Sequence, residues 1–87
     1  MRIVLAEDSA LLREGLVRLL DELGHQVLAT AASAPETIEA VRRERPDLLV
    51  ADVRMPPTHT DDGLRAEFPG LAVLVLSQYV EAPYARR

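Results

Sequence analysis

A chain of 87 residues has room for one domain, and a domain of that size buries only about 60–65% of its unfolded surface, so little of its core can be spared. The absence of cysteine excludes a disulfide framework and thiolate metal sites, while a formal net charge of −4 with no arginine stripe and no lysine argues against nucleic-acid binding by this segment. No apolar run approaches the ~20 residues that span a bilayer, and the N-terminus lacks the grading of a signal peptide, so the expectation is a soluble domain of the cytoplasm with no membrane partner.

In chain order, residues 2–6 are aliphatic and β-branched and too short for a helix before the acids Glu7 and Asp8, which fits a buried strand. Leu12, Leu16, Leu19, Leu20 and Leu23 then recur at helical spacing opposite Arg13, Glu14, Arg18, Asp21 and Glu22. This predicts an amphipathic helix packed on one side, capped by Ser9 or Asp8 and stopped by a left-handed Gly24. His25 to Ala31 reads as a second strand centred on Val27 and Leu28.

Ser33-Ala34-Pro35-Glu36 matches a capping box and opens a second helix, with Ala34, Ile38 and Val41 as its apolar stripe, arginines 42, 43 and 45 at its negative end and Pro46 to end it. The run Leu48-Leu49-Val50-Ala51 ends at Asp52 and reads as a third strand. A polar, Pro-rich loop follows from Arg54 to about Asp62, then a short helical piece around Asp62 to Phe68, and a Pro69-Gly70 turn. Residues 71–76 are all apolar, the pattern of a fourth strand covered on both faces.

The order β-α-β-α-β-α-β predicts an α/β fold, a doubly wound parallel sheet with right-handed crossovers. The connection from residue 53 to 70 clears the dozen or so residues that a parallel crossover needs. In open parallel sheets, ligands bind outside the carboxyl ends of the strands at the point where strand order reverses. Strands one and three flank that point, so Glu7, Asp8 and Asp52 crowd together with no cation between them in sequence. Oxygen-only ligands suit a hard cation that keeps several waters, Mg²⁺ or Mn²⁺ rather than zinc. The bland alternative is that Glu7 and Asp8 cap the first helix while Asp52 begins a loop.

The acid pair, the phosphoacceptor-like strand ending at Asp52, the stretch Asp52-Val53-Arg54-Met55-Pro56-Pro57 followed by Gly63, and Ser77 fall in an order that resembles the receiver domain of two-component response regulators. The Met-Pro loop resembles the subfamily carrying a LuxR-type helix-turn-helix output domain. The resemblance covers residues 1 to about 82. It implies a flavodoxin-like (CheY-like) sheet in the order 2-1-3-4, with Asp52 accepting a phosphoryl group from a sensor histidine kinase in a phosphorelay that gates transcription. It further implies that Asp8 and Asp52 bind Mg²⁺ directly, Glu7 through water and Arg54 through its main-chain carbonyl, and that the Ser77 hydroxyl bonds the phosphoryl oxygen. Contact with DNA is expected only through an output domain.

The family pattern also includes a fourth helix, a fifth strand with a phosphate-contacting lysine, and a fifth helix. The expectation is therefore a single, C-terminally truncated receiver over residues 1–87, whose exposed strand 71–77 and residues 78–87 form a homodimer or strand-swap surface. A receiver of this kind is a signalling domain rather than a turnover enzyme. Competing readings are a receiver used only for protein contacts and a phosphohydrolase with an Asp nucleophile. Such hydrolases commonly want an acid two residues after the nucleophile, where this chain has Arg54. A nucleotide-binding module finds no glycine in Glu7-Asp8-Ser9-Ala10 to admit a pyrophosphate. His59 in its polar loop reads as solvated, and Asp61-Asp62 as helix caps.

Overall fold

The structure is a computed structural model and describes residues 1–52 and 66–76. Its elements are β1 (Arg2–Ala6), α1 (Ala10–Glu22), β2 (Gln26–Ala31), α2 (Ala34–Glu44), β3 (Leu48–Asp52) and β4 (Ala72–Leu76). The strands form one parallel sheet in the order β2-β1-β3-β4, the order expected from the sequence.

Both helix starts follow their serines. Ser9 caps α1, its Oγ accepting from the Leu12 N–H at 3.3 Å, and Ser33 caps α2, accepting from the Glu36 N–H at 3.4 Å. The box at α2 differs from the expected form in one respect. Glu36 accepts from the Ser33 hydroxyl at 3.2 Å and reaches past it to the Ala32 N–H at 3.3 Å, one residue earlier than a standard box. At the end of α1, Gly24 takes φ +88°, the Gly24 N–H donates to Asp21 and the His25 N–H to Leu20. That pair of bonds is the Schellman closure, so His25 belongs to the helix stop rather than to β2.

α2 stops before Pro46 with Arg45 in the left-handed region at φ 48°. Its last carbonyls are satisfied from outside: the Arg2 guanidinium donates to the Glu44 and Arg45 carbonyls, each at 3.0 Å. The strand after it is tied to the same corner, with the Arg2 N–H on Asp47 Oδ2 at 3.0 Å and the Asp47 N–H on the Arg2 carbonyl at 2.8 Å.

Alternation along the strands splits the core between the two faces of the sheet. Ile3, Leu5 and Val50 pack under Leu16, Val17 and Leu20 of α1; Val4, Ala6 and Leu49 pack under Ala40 and Val41 of α2. Each of these strand residues is nearly or wholly buried, contributing roughly 1.5–3 kcal/mol for a large aliphatic side chain.

Three expectations need correction. The packed stripe of α1 is narrower than its leucine pattern: Val17 joins it, while Leu12, Leu19 and Leu23 are 39%, 51% and 63% exposed. Those three leucines flank the line of contact, and a helix lying on β1 and β2 covers only the width of its own contact line. On α2, Thr37 and Ala40 are buried where Ile38 is only partly so; the Thr37 hydroxyl donates to the Ser33 carbonyl at 2.7 Å, which is how a polar residue sits in that core. Finally, β4 is not covered on both faces as its apolar run suggests, and agrees instead with the exposed strand also expected there. Leu74 and Val75 are 51% and 42% exposed, because β4 is the end strand of the described sheet and both described helices lie over β1 and β2.

Of the expected third helix, residues 66–67 are helical and the earlier part lies outside the described residues. The Pro69-Gly70 turn is present, closed by the Leu71 N–H on the Phe68 carbonyl at 2.9 Å. Arg42 grips Glu67 with two hydrogen bonds of 2.9 and 2.8 Å, and the Arg45 guanidinium lies 5.5 Å from the centre of the Phe68 ring. These contacts fasten the entry to β4 onto the end of α2.

Candidate functional site

Parallel register builds the site. Ala6 pairs with Ala51, so the next residues along β1 and β3, Glu7 and Asp52, emerge side by side at the carboxyl edge of the sheet. Asp8 follows in the turn that leads to the Ser9 cap. One carboxylate oxygen from each of Glu7, Asp8 and Asp52 lies within 4.8 Å of the others. Glu7 and Asp52 are buried, at 1% and 5% exposure, and Asp8 is open to solvent. Thus the three acids singled out in the sequence do converge.

Glu7 is held on every side but one. Its N–H donates to the Ala31 carbonyl at 2.9 Å, extending the β1–β2 pairing, and its carbonyl accepts from Arg13 Nη1 at 2.8 Å. Oε2 accepts from the Ser9 N–H at 2.9 Å. Oε1 is buried and has no hydrogen-bond partner. Burial is the first cause that pushes the Glu7 carboxyl above its ordinary range; the Ser9 N–H pulls it down, and the neighbouring carboxyls of Asp8 and Asp52, with the charge of Asp52, push it further up. Ionised carboxylates only accept hydrogen bonds, so a proton shared among them or a bound cation would relieve the crowding of the three oxygens.

An all-oxygen, partly buried, anionic cluster open on the Asp8 side fits a hard divalent ion that keeps waters, and the orphaned Glu7 Oε1 marks where compensating charge is missing. Of the other residues singled out in the sequence, Arg54, Met55, His59, Asp61, Asp62 and Ser77 lie outside the described residues. The sequence reading missed Arg13 as a partner of the site. A signal was there: a cation in the first turn of a helix sits at the positive end of the dipole, an unfavourable place that calls for a specific acceptor.

The sequence matches the response regulator receiver domain over residues 3–87. The chain belongs to that family. Among solved structures, this receiver superposes on a LuxR-family two-component response regulator from Aurantimonas sp. SI85-9A1 with a TM-score of 0.85 at 28% identity, covering 98% of this chain and 64% of that one. It matches the signal receiver domain of the putative response regulator NarL from Mycobacterium tuberculosis with a TM-score of 0.82 at 29% identity, over 90% of this chain and 66% of that one. Among curated relatives, the oxygen regulatory protein NreC of Staphylococcus haemolyticus is 35% identical over 91 residues, which is 97% of this chain and 41% of NreC. This chain therefore spans about two fifths of the length of NreC. The first of these structures is a regulator of the LuxR family, and the 2-1-3-4 sheet is that of a CheY-like receiver. Among the described residues no helix is long and apolar enough to cross a membrane.

Proposed function

We propose that this receiver accepts a phosphoryl group on Asp52 from the phosphohistidine of a sensor histidine kinase and so gates a transcription-regulating output. The observation that carries the reading is the setting of Asp52, buried at the carboxyl end of β3 with two further carboxylates within 4.8 Å. Asp8 and Asp52 would hold Mg²⁺ directly, Glu7 through water and Arg54 through its main-chain carbonyl. When bound there, the ion would supply charge neutralisation for the carboxylates and the phosphoryl oxygens, the chief electrostatic demand of phosphoryl transfer. An Asp52 oxygen forms the new P–O bond as the P–N bond to the kinase imidazole breaks, and the electron pair leaves with that nitrogen. The Ser77 hydroxyl is assigned to the transferred phosphoryl oxygen and to the conformational response. In this reading the domain works in the cytoplasm and is a signalling acceptor, with no reaction turned over beyond its own phosphorylation and dephosphorylation.

The test is incubation with a small-molecule phosphodonor and Mg²⁺, followed by intact mass. One phosphoryl adduct that disappears in Asp52→Asn is expected; an adduct that survives the substitution refutes the assignment. A receiver that serves only for protein contact would give none.

A second reading is supported by the half-exposed Leu74 and Val75 on the end strand β4, which suit pairing with another copy through residues 71–87. Light scattering over a concentration series decides it. A rising mass supports the dimer, and a monodisperse monomer at high concentration rejects it.

A further inference from the structure

We infer that Arg13 is a positioning residue for the cation site, acting through the backbone of Glu7; the inference rests on the proposed divalent-ion site. Arg13 is the fourth residue of α1, and its own N–H is spent on the Ser9 carbonyl at 2.9 Å. Its side chain turns back to the strand end and places Nη1 2.8 Å from the Glu7 carbonyl, which β1 has left beyond its last residue. The guanidinium thus closes a loop from β1, through the Asp8-Ser9 turn, to the first turn of α1. Within that loop Glu7 is fixed at its N–H by Ala31, at its carbonyl by Arg13 and at Oε2 by Ser9. Of its polar atoms, Oε1 alone has no hydrogen-bond partner. The bond to Arg13 fixes the peptide plane from which that carboxylate departs.

The sign of the effect separates positioning from bulk charge. A positive side chain near three carboxylates competes with a cation, so if Arg13 acted only through its charge, removing it would tighten cation binding. If it acts by holding Glu7 in place, removing it weakens binding, as loss of a residue supporting a metal ligand commonly does, by about 10- to 100-fold.

The experiment measures Mn²⁺ affinity by water-proton relaxation for wild type, Arg13→Met, Arg13→Lys and Asp52→Asn, with circular dichroism to confirm that each variant is folded. Arg13→Met is expected to bind Mn²⁺ about 10- to 100-fold more weakly. Arg13→Lys keeps both a donor and the charge and is expected to recover most of the loss. Should Arg13→Met fail to fold, Arg13→Gln, which also removes the charge and cannot span to the same carbonyl, carries the same expectation. Tighter or unchanged binding in the neutral variant overturns the inference. Binding that Asp52→Asn abolishes and the neutral Arg13 variant leaves intact rejects the role of Arg13 alone, whereas wild type that binds no Mn²⁺ rejects the cation site with it.

Discussion

Glu7 and Asp52 stand opposite one another because Ala6 pairs with Ala51 in the β1–β3 register, and that single rung turns two separate strand ends into one anionic site. A slip of one residue would send one carboxylate to the other face of the sheet.

Burial of Glu7, with the carboxyls of Asp8 and Asp52 beside it, gives the metal-free domain an unusual pH dependence. The folded state holds the Glu7 proton to a higher pH than the unfolded chain does, so it binds more protons as pH rises through and above the ordinary carboxylate range. Stability from this group is present at low pH and lost across that window. Glu7→Gln is expected to flatten the loss and to raise the melting temperature of the metal-free domain at neutral pH. Melting curves with chelator from acid to neutral pH check it, and an unchanged slope in the variant rejects the cause.

Glu67 titrates with the opposite sign. Its hydrogen bonds from Arg42 hold its carboxyl below the ordinary range, so what it contributes is present above the unfolded value and disappears as pH falls through the lowered one. Both side chains are well exposed, so the effect is small and screened by salt. Glu67→Gln should shift only the acid limb of the stability profile, and less so at high ionic strength.

Core position matters more than residue type. Leu5, fully buried between β2 and β3 and under α1, is expected to cost about 2–5 kcal/mol on truncation to alanine, whereas Leu11, at 84% exposure, should change stability by no more than about 0.5 kcal/mol. Urea denaturation of the two variants provides the comparison. Similar losses at both sites would mean that the outer face of α1 is covered in solution.

At the start of α2 the Ser33 hydroxyl both accepts from the Glu36 N–H and donates to the Glu36 carboxylate. Ser33→Ala is expected to cost about 1 kcal/mol, and Ser33→Gly only a few tenths. Equal losses in the two variants would assign the effect to the backbone instead of the hydroxyl.

Strand and helix positions were legible because hydrophobic period, serine caps and Gly24 all act locally, and the acids were legible because they punctuate apolar runs. What the sequence did not disclose depends on tertiary placement. The α1 leucines share a helical period, yet only the sheet beneath decides that Leu16 and Leu20 pack while Leu19 and Leu23 flank the contact. The apolar run in β4 looks the same whether the strand is central or terminal. Arg13 reads as one charge on a polar face until the chain reversal at Ser9 brings it back to the Glu7 carbonyl.

The central claim is that three carboxylates form one divalent-cation site organised around Asp52. Calorimetric titration of Mg²⁺ into wild type and Asp52→Asn, with melting temperature followed in parallel, tests it most directly. One saturable site is expected in wild type, stabilising the fold by about 2.7 kcal/mol at a hundred times the dissociation constant, with both signals lost in the variant. Binding of equal strength in Asp52→Asn, or none in wild type, would contradict it.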